Sequence, residues 1–196
     1  MRLGHRQVVA VGASWGGLDA LRTILRALPG DFPAPVVVVQ HRAPDSHASA
    51  FRDLLRCVSE LNVCEADDKD TLHAGTIYVA APDYHLLVDG DSLALSVDER
   101  VQYARPSVDV LLACAAESYR EGCVGVVLTG ANADGAKGLA RVAELGGTAV
   151  VQDPETAVRP EMPRAALAAV PSARVAAVDE IAPLLVDLCG VGSEVA

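Results

Sequence analysis

Four short runs nearly free of polar residues, alternating with helical repeats, constrain this chain more than anything else in it. They are Val8 to Val11, the four consecutive valines Val36 to Val39, GVVLTG (Gly125 to Gly130) and TAVVQ (148–152). A strand that is apolar at every position has both faces covered, the condition of a parallel sheet between two helix layers. Leu18, Leu21, Leu25 and Leu28 recur at helical spacing until Pro29-Gly30 stops them. Phe51, Leu54, Leu55 and Val58 mark a second helix, Val108, Leu111, Leu112, Ala115 and Tyr119 a third, and Ala136 to Leu145 a fourth. A weaker strand over Asn62 to Glu65, a helix from about Pro163, a short strand near Arg174 to Ala177 and a last helix over Glu180 to Leu188 complete the alternation.

Between Thr76 and Val97 the pattern changes to the short alternating runs TIYVA, YHLLV and SLALSV. The last two are joined by Asp89-Gly90-Asp91, a hairpin signal. The expected class is α/β. A single doubly wound, mostly parallel sheet carries helices on both faces and an antiparallel hairpin insertion, spanning 1–190 with a frayed tail over 191–196.

Composition narrows the function. Hydrophobic residues make up 51% but aromatics only 4%, so the core is built from Val, Leu and Ala. The net charge is −10 and no basic cluster breaks it, which argues against a nucleic-acid partner. No apolar stretch reaches the ~18 residues of a membrane span and no signal peptide opens the chain, so a cytoplasmic, non-inserted protein is expected. Five cysteines without a C-x-x-C pair read as free thiols, and five histidines without ligand spacing give no metal site.

In an open parallel sheet, ligands bind beyond the C-terminal strand ends where the winding reverses. Ser14 follows the first strand, His41 the second, and Asp134 lies in TGANADG after the third long run. Each has a bland reading: Ser14 as a turn residue capping its helix, His41 as a loop residue, Asp134 as the N-cap of the helix that follows it. Together they are a nucleophile, a base near neutral pH and a carboxylate that fixes the imidazole tautomer. Gly12-Ala13-Ser14-Trp15-Gly16 matches the G-x-S-x-G elbow, but the order Ser, His, Asp differs from the Ser, acid, His of α/β-hydrolases. A dinucleotide site is disfavoured because Ser14 stands where the second glycine should be, and Gln40-His41 where a ribose-binding acid should be.

The stretches VGASWGGLDAL, VVVVQH, GTIYVAAPDYHLLV, RPSVDVLL, GVVLTGANADGAKGL, AVVQDPETA and MPRAAL, in this order over roughly residues 6 to 190, resemble the chemotaxis receptor methylesterases. The resemblance implies a serine hydrolase that cleaves glutamate γ-methyl esters on methyl-accepting chemoreceptors and releases methanol; some relatives also deamidate glutamine. It implies Ser14 as nucleophile, His41 as base and Asp134 as orienting acid, with no cofactor or metal. The oxyanion is expected on backbone N–H groups at the start of the helix after Ser14 and around Ala131. Further candidate substrate or oxyanion residues are Trp15, Ala131, Asn132, Arg105, Met162 and Arg164. The implied partners are the cytoplasmic helices of methylated chemoreceptors and a separate receiver or regulatory protein, since no receiver domain precedes the first strand.

The chain departs from the family pattern at Trp15, at Ala131-Asn132, at Gln102-Tyr103-Ala104 and at Glu161. These positions bear on recognition more than on chemistry. Two other readings stay open: an esterase or amidase of the same fold with a non-receptor substrate, and a non-catalytic adaptor.

Overall fold

The computed structural model describes residues 7–43 and 48–190, so the expected tail at 191–196 lies outside the described residues. In chain order the elements are β1 (Val8–Ala13), α1 (Gly17–Ala27), β2 (Val36–Gln40), α2 (Ala48–Arg56), β3 (Asn62–Glu65), β4 (Thr76–Val79), β5 (His85–Asp89), β6 (Ser92–Ser96), α3 (Val108–Tyr119), β7 (Cys123–Val127), α4 (Ala136–Glu144), β8 (Thr148–Gln152), α5 (Glu161–Ala169), β9 (Arg174–Ala176) and α6 (Ile181–Cys189). Seven strands form one sheet in the order β3-β4-β2-β1-β7-β8-β9, every pair parallel. The winding runs outward from β1 through β2, then returns to place β7 on the other side of β1. The switch point therefore lies between β1 and β7, where a ligand crevice is expected.

The all-apolar runs have the predicted cause. Val9 and Val11 face a core shared with α1 and α6, while Val8 and Ala10 face a second core shared with α3, α4 and α5. With both faces buried, alternation has no solvent side to serve.

One expectation is corrected. TIYV is not part of the antiparallel insertion; it enters the parallel sheet as β4, between β2 and β3. Its alternating look comes from Tyr78, whose ring is buried while its hydroxyl donates to the Thr71 carbonyl at 2.8 Å. Among the named strands of the described residues, β5 and β6 pair antiparallel, as a separate two-stranded sheet with Leu86, Val88 and Leu93 packed into the second core.

Two glycines let the layers close over the switch point. A Cβ on Gly12 would collide with the Val108 side chain, so the first turn of α3 rests directly on β1. A Cβ on Gly138 would stand 2.7 Å from both Asp109 O and Leu112 Cβ, so α3 and α4 meet backbone to backbone. Helix propensity alone favours Gly138→Ala by ~1 kcal/mol. Overpacking at this contact outweighs it, and Gly138→Ala is expected to lower stability by about 1–3 kcal/mol in urea titration. A stabilised variant would show that the two helices are free to separate.

Candidate active site

The register of the sheet delivers the expected residues to one edge. Ala13 lies opposite Gln40, so Ser14 and His41 each stand one residue beyond a paired position, and His41 N–H donates to Ala13 O at 3.0 Å. On the other side Ser14 N–H donates to Thr129 O at 2.9 Å.

The chain turns sharply after Ser14. Gly17 N–H donates back to Ser14 O at 2.9 Å, and Gly16 sits at φ 82°, ψ −3°, the values a type II turn requires at its third residue. Gly17 is equally constrained, since a Cβ there would strike Gln40 Oε1. Gly16 takes the N-cap position of α1 without a side-chain cap, so the capping role for Ser14 does not hold. Its hydroxyl is left for other work.

Asp134 does not cap its own helix either. Gly135 holds that position, and the fully buried Asp134 carboxylate reaches across to the N-terminus of α3. Oδ1 accepts from Ser107 Oγ and Asp109 N–H, both at 2.9 Å, and Oδ2 accepts from Val108 N–H at 2.8 Å. His41 Nε2–H donates to Oδ2 at 2.8 Å and fills the last place. Asp109, in the first turn of α3, returns the arrangement: its Oδ1 accepts from Gly135 N–H at 2.9 Å and Gly138 N–H at 2.8 Å. The two helices thus exchange carboxylates at their N-termini, where unsatisfied N–H groups and the helix dipole favour negative charge.

Burial alone would push the Asp134 carboxyl up. The hydrogen bonds from His41, Asp109 and Val108, with the charge that His41 can carry, more than offset it and hold the group below the usual carboxylate range.

An ionised Asp134 only accepts, so the proton of neutral His41 sits on Nε2 and the free lone pair on Nδ1. Asn132 Nδ2 donates toward that lone pair at 3.4 Å, while Asn132 Oδ1 accepts the Asp134 N–H at 3.0 Å. The ring is pinned at both nitrogens.

Two cavities meet at Ser14, His41 and Asn132. One, of about 350 Å³, is bounded by Trp15, Gly16, Gln40 and Ala131. The N–H groups of Trp15, Gly16 and Ala131 make no hydrogen bond with other described residues, so three main-chain donors remain unused beside Ser14. The other, of about 280 Å³, runs under the 100–106 loop and is bounded by Arg42, Arg100, Tyr103 and Arg105. Among the described residues no cluster of three or more metal-ligating side chains occurs.

The profile of the CheB methylesterase family matches residues 9–185. The chain belongs to the CheB methylesterase family. It is 43% identical over 183 residues to a Leptospira interrogans protein that carries the provisional name protein-glutamate methylesterase/protein-glutamine glutaminase, covering 93% of this chain and 94% of that one. It is 41% identical over 187 residues to protein-glutamate methylesterase/protein-glutamine glutaminase 2 of Anaeromyxobacter dehalogenans, covering 95% of this chain but 54% of the relative. The crystal structure of the Thermotoga maritima CheB methylesterase catalytic domain superposes with a TM-score of 0.89 at 35% identity, over 93% of this chain and 98% of that one.

Within this CheB methylesterase fold the remaining candidates divide. Trp15, Ala131 and Asn132 line the cleft. Arg105 lines it too, but its guanidinium is committed to Asp83 and to the Val97 and Asp98 carbonyls. Met162 and Arg164 bound neither cavity. Met162 is buried beneath Gly130, where its sulfur leaves no room for a Cβ, and Arg164 pairs with Glu155 at 3.7 Å on the surface. Met162 thus supports Gly130 from below, and Arg164 stands in a solvent-exposed ion pair.

The five cysteines are free; burial pushes Cys114 and Cys189 up to about 11 and Cys123 to about 12, which keeps their thiols protonated.

Sequence reasoning missed the residues that brace the site. Gln40 Nε2 donates to Ser14 O at 2.7 Å and His41 O at 3.0 Å, fixing the two strand ends together. Thr129 Oγ1 donates to Trp15 O at 2.9 Å and accepts from Arg159 N–H at 2.9 Å. Buried His85 accepts the Ser107 N–H on Nδ1 at 3.2 Å and donates from Nε2 to Glu99 O at 3.0 Å, tying the hairpin to the cap of α3. Only Ser107 carried a usable signal, as a serine directly before a helical repeat.

The position of Asp134 predicts how the fold responds to acid. Its folded value lies below the ~3.9 of an unfolded aspartate, so its stabilisation is fully present above about pH 4. That stabilisation is lost as the pH falls through the lower, folded value. Urea midpoints measured from pH 7 downward are expected to drop below about pH 4 more steeply in the wild type than in Asp134→Asn. Parallel curves would show that this carboxylate does not titrate with folding.

Proposed function

We propose that the chain is a serine hydrolase that removes methyl groups from γ-methylglutamate side chains of chemoreceptor proteins, through Ser14, His41 and Asp134. The observation that carries this reading is the His41–Asp134 hydrogen bond at the switch point, with Ser14 on the adjoining strand end and unused N–H donors beside it. The names of the relatives support the substrate class.

The chemistry follows from the protonation pattern. Ser14 Oγ attacks the ester carbonyl carbon while its proton passes to His41 Nδ1. Asp134, in contact with Nε2–H, stabilises the imidazolium that forms. The Trp15, Gly16 and Ala131 N–H groups are placed to receive the oxyanion, and such donors supply ~2.7–4 kcal/mol each. The tetrahedral adduct collapses, and methanol leaves with the Nδ1 proton. Water then adds to the acyl-Ser14 carbonyl by the same route, regenerating the serine and releasing the receptor with a free glutamate side-chain carboxylate.

With a glutamine side chain the first leaving group is ammonia, and the acyl-enzyme is the same. In the resting chain Asn132, not Ser14, faces Nδ1. Catalytic hydrogen bonds of this kind commonly tighten only with substrate present.

Ser14→Ala is expected to lower methanol release from methylated receptor membranes by ~10⁴-fold or more, and Asp134→Asn by a comparable factor through loss of the correct tautomer. Unchanged release by Ser14→Ala would overturn the assignment. Turnover of a small neutral ester with none on receptors would move the substrate outside the receptor class.

A further inference from the structure

The cavity under the 100–106 loop has a charge at odds with the rest of the chain. Three arginines, Arg42, Arg100 and Arg105, bound it together with Ser14 and His41, and no aspartate or glutamate does so among the described residues. The chain as a whole carries a net charge of −10.

The three guanidiniums are not equivalent. Arg105 is a brace, its donors spent on Asp83 Oδ1 at 3.0–3.2 Å and on the carbonyls of Val97 and Asp98 at 2.7 and 3.0 Å. Arg100 shares that same Asp83 oxygen at 3.0 Å, so one carboxylate stands against two cations, and about half of the Arg100 side chain is exposed. Arg42 lies over the Phe51 ring at 4.7 Å and donates one bond, from Nη2 to Ala80 O at 2.7 Å. Its Nε and Nη1 are buried without a hydrogen-bond partner. Glu65 also acts on Arg42 electrostatically. Three guanidiniums against the carboxylates of Asp83 and Glu65 still leave surplus positive charge beside Ser14, with unmet donor capacity on Arg42.

The outer edge is built for contact. Tyr103 is 96% exposed at the tip of the loop, and both Gln102 and Tyr103 hold positive φ (49° and 65°) in the turn closed by Val101 and Ala104. Trp15 is 64% exposed in the other cavity.

We propose that this compartment recognises an acidic segment of the substrate protein, whose free carboxylates lie against Arg42 and Arg100 while the neighbouring ester enters at Ser14. The proposal deepens the methylesterase reading and rests on it for the ester. A methyl ester is uncharged, so the arginines read the residues around it. A cleft of one sign in a chain of the other concentrates the attraction at one place and turns an acidic partner toward it. Arg42 and Arg100 are specificity residues in this scheme and take no part in the chemistry.

The test measures binding, independent of turnover. Fluorescence anisotropy on Ser14→Ala protein compares a helical peptide carrying one γ-methylglutamate flanked by glutamates with its counterpart flanked by glutamines. At low salt the acidic peptide is expected to bind about tenfold tighter, two charge pairs each giving about two- to fivefold. The gap should close at ~0.5 M salt, where screening acts within a few ångströms.

Arg100→Gln in the same background should narrow the gap about two- to fivefold and leave the glutamine peptide unchanged. Asp83 keeps Arg105 in that variant, so the loop retains its brace. Arg42→Gln should narrow it further, and where that variant does not fold, Arg100→Glu carries the test.

Equal affinity for the two peptides, equal weakening of both by Arg100→Gln, or loss of the gap to inorganic phosphate at the peptide's concentration would each overturn the proposal. The two readings fail separately. A binding gap with no methanol released from either peptide by Ser14-containing protein sinks the methylesterase assignment. Methanol release from both peptides at equal KM sinks the acidic-segment proposal alone.

Discussion

One buried carboxylate holds both the fold and the site. Asp134 brings a negative charge into a fully enclosed place, a costly transfer unless every lone pair is met. Four donors meet them: two backbone N–H groups and the capping serine of α3, and the imidazole of His41. Asp109 makes the opposite exchange with the first turn of α4. Because a carboxylate from each helix start meets N–H groups of the other, docking completes both N-termini; α3 has Ser107 as its own cap as well, whereas α4 has no side-chain cap of its own. Gly138 makes that docking close enough. The same packing places the carboxylate beyond β7, within reach of a ring that begins two strands away, after β2.

The imidazole orientation is a consequence. In the familiar Ser-His-Asp arrangement Nδ1–H faces the acid and Nε2 serves the serine. Here Nε2, the nitrogen farther from the main chain, reaches down to Asp134, and Nδ1 is left on the cleft side against Asn132. His41 directly follows a paired strand residue, so its Cα is fixed close to Ser14 and the nearer nitrogen is the one available there. In the proposed mechanism the roles of the three groups are kept with the nitrogens exchanged. Gln40 makes the exchange rigid by binding the carbonyls of both Ser14 and His41.

The parallel sheet, the order of its helices and the edge where Ser14, His41 and Asp134 gather were legible in the sequence, because strand burial and strand-end position are local properties. VVVVQH announces a strand buried on both faces and names the residue at its end. TIYV misled because a tyrosine can bury its ring and satisfy its hydroxyl on a nearby carbonyl, which pattern alone does not distinguish from an exposed position. The destination of Asp134 was illegible for a different reason. A carboxylate two residues before a helix reads as a cap for that helix, and only the crossing of α3 over β1 shows that another N-terminus is closer. The supports from Thr129, Gln40 and His85 depend on contacts between distant segments and leave no periodic trace. Met162 and Arg164 were drawn in by family resemblance, yet their contacts are with Gly130 and Glu155.

Charge is segregated across the depth of this site, and the segregation imposes a trade. Arginines at the mouth favour an acidic chain but disfavour an imidazolium forming beneath them. The balance is decided by distance and screening. Asp134 touches the ring at 2.8 Å inside the protein, whereas Arg100 is half exposed and already faces Asp83. Coulomb energy falls as the inverse of distance and of effective dielectric, so an enclosed contact outweighs a solvated neighbour several-fold. A carboxylate that joins two helices is thus, in the proposed mechanism, also the group that stabilises a positive His41 beneath a cationic entrance.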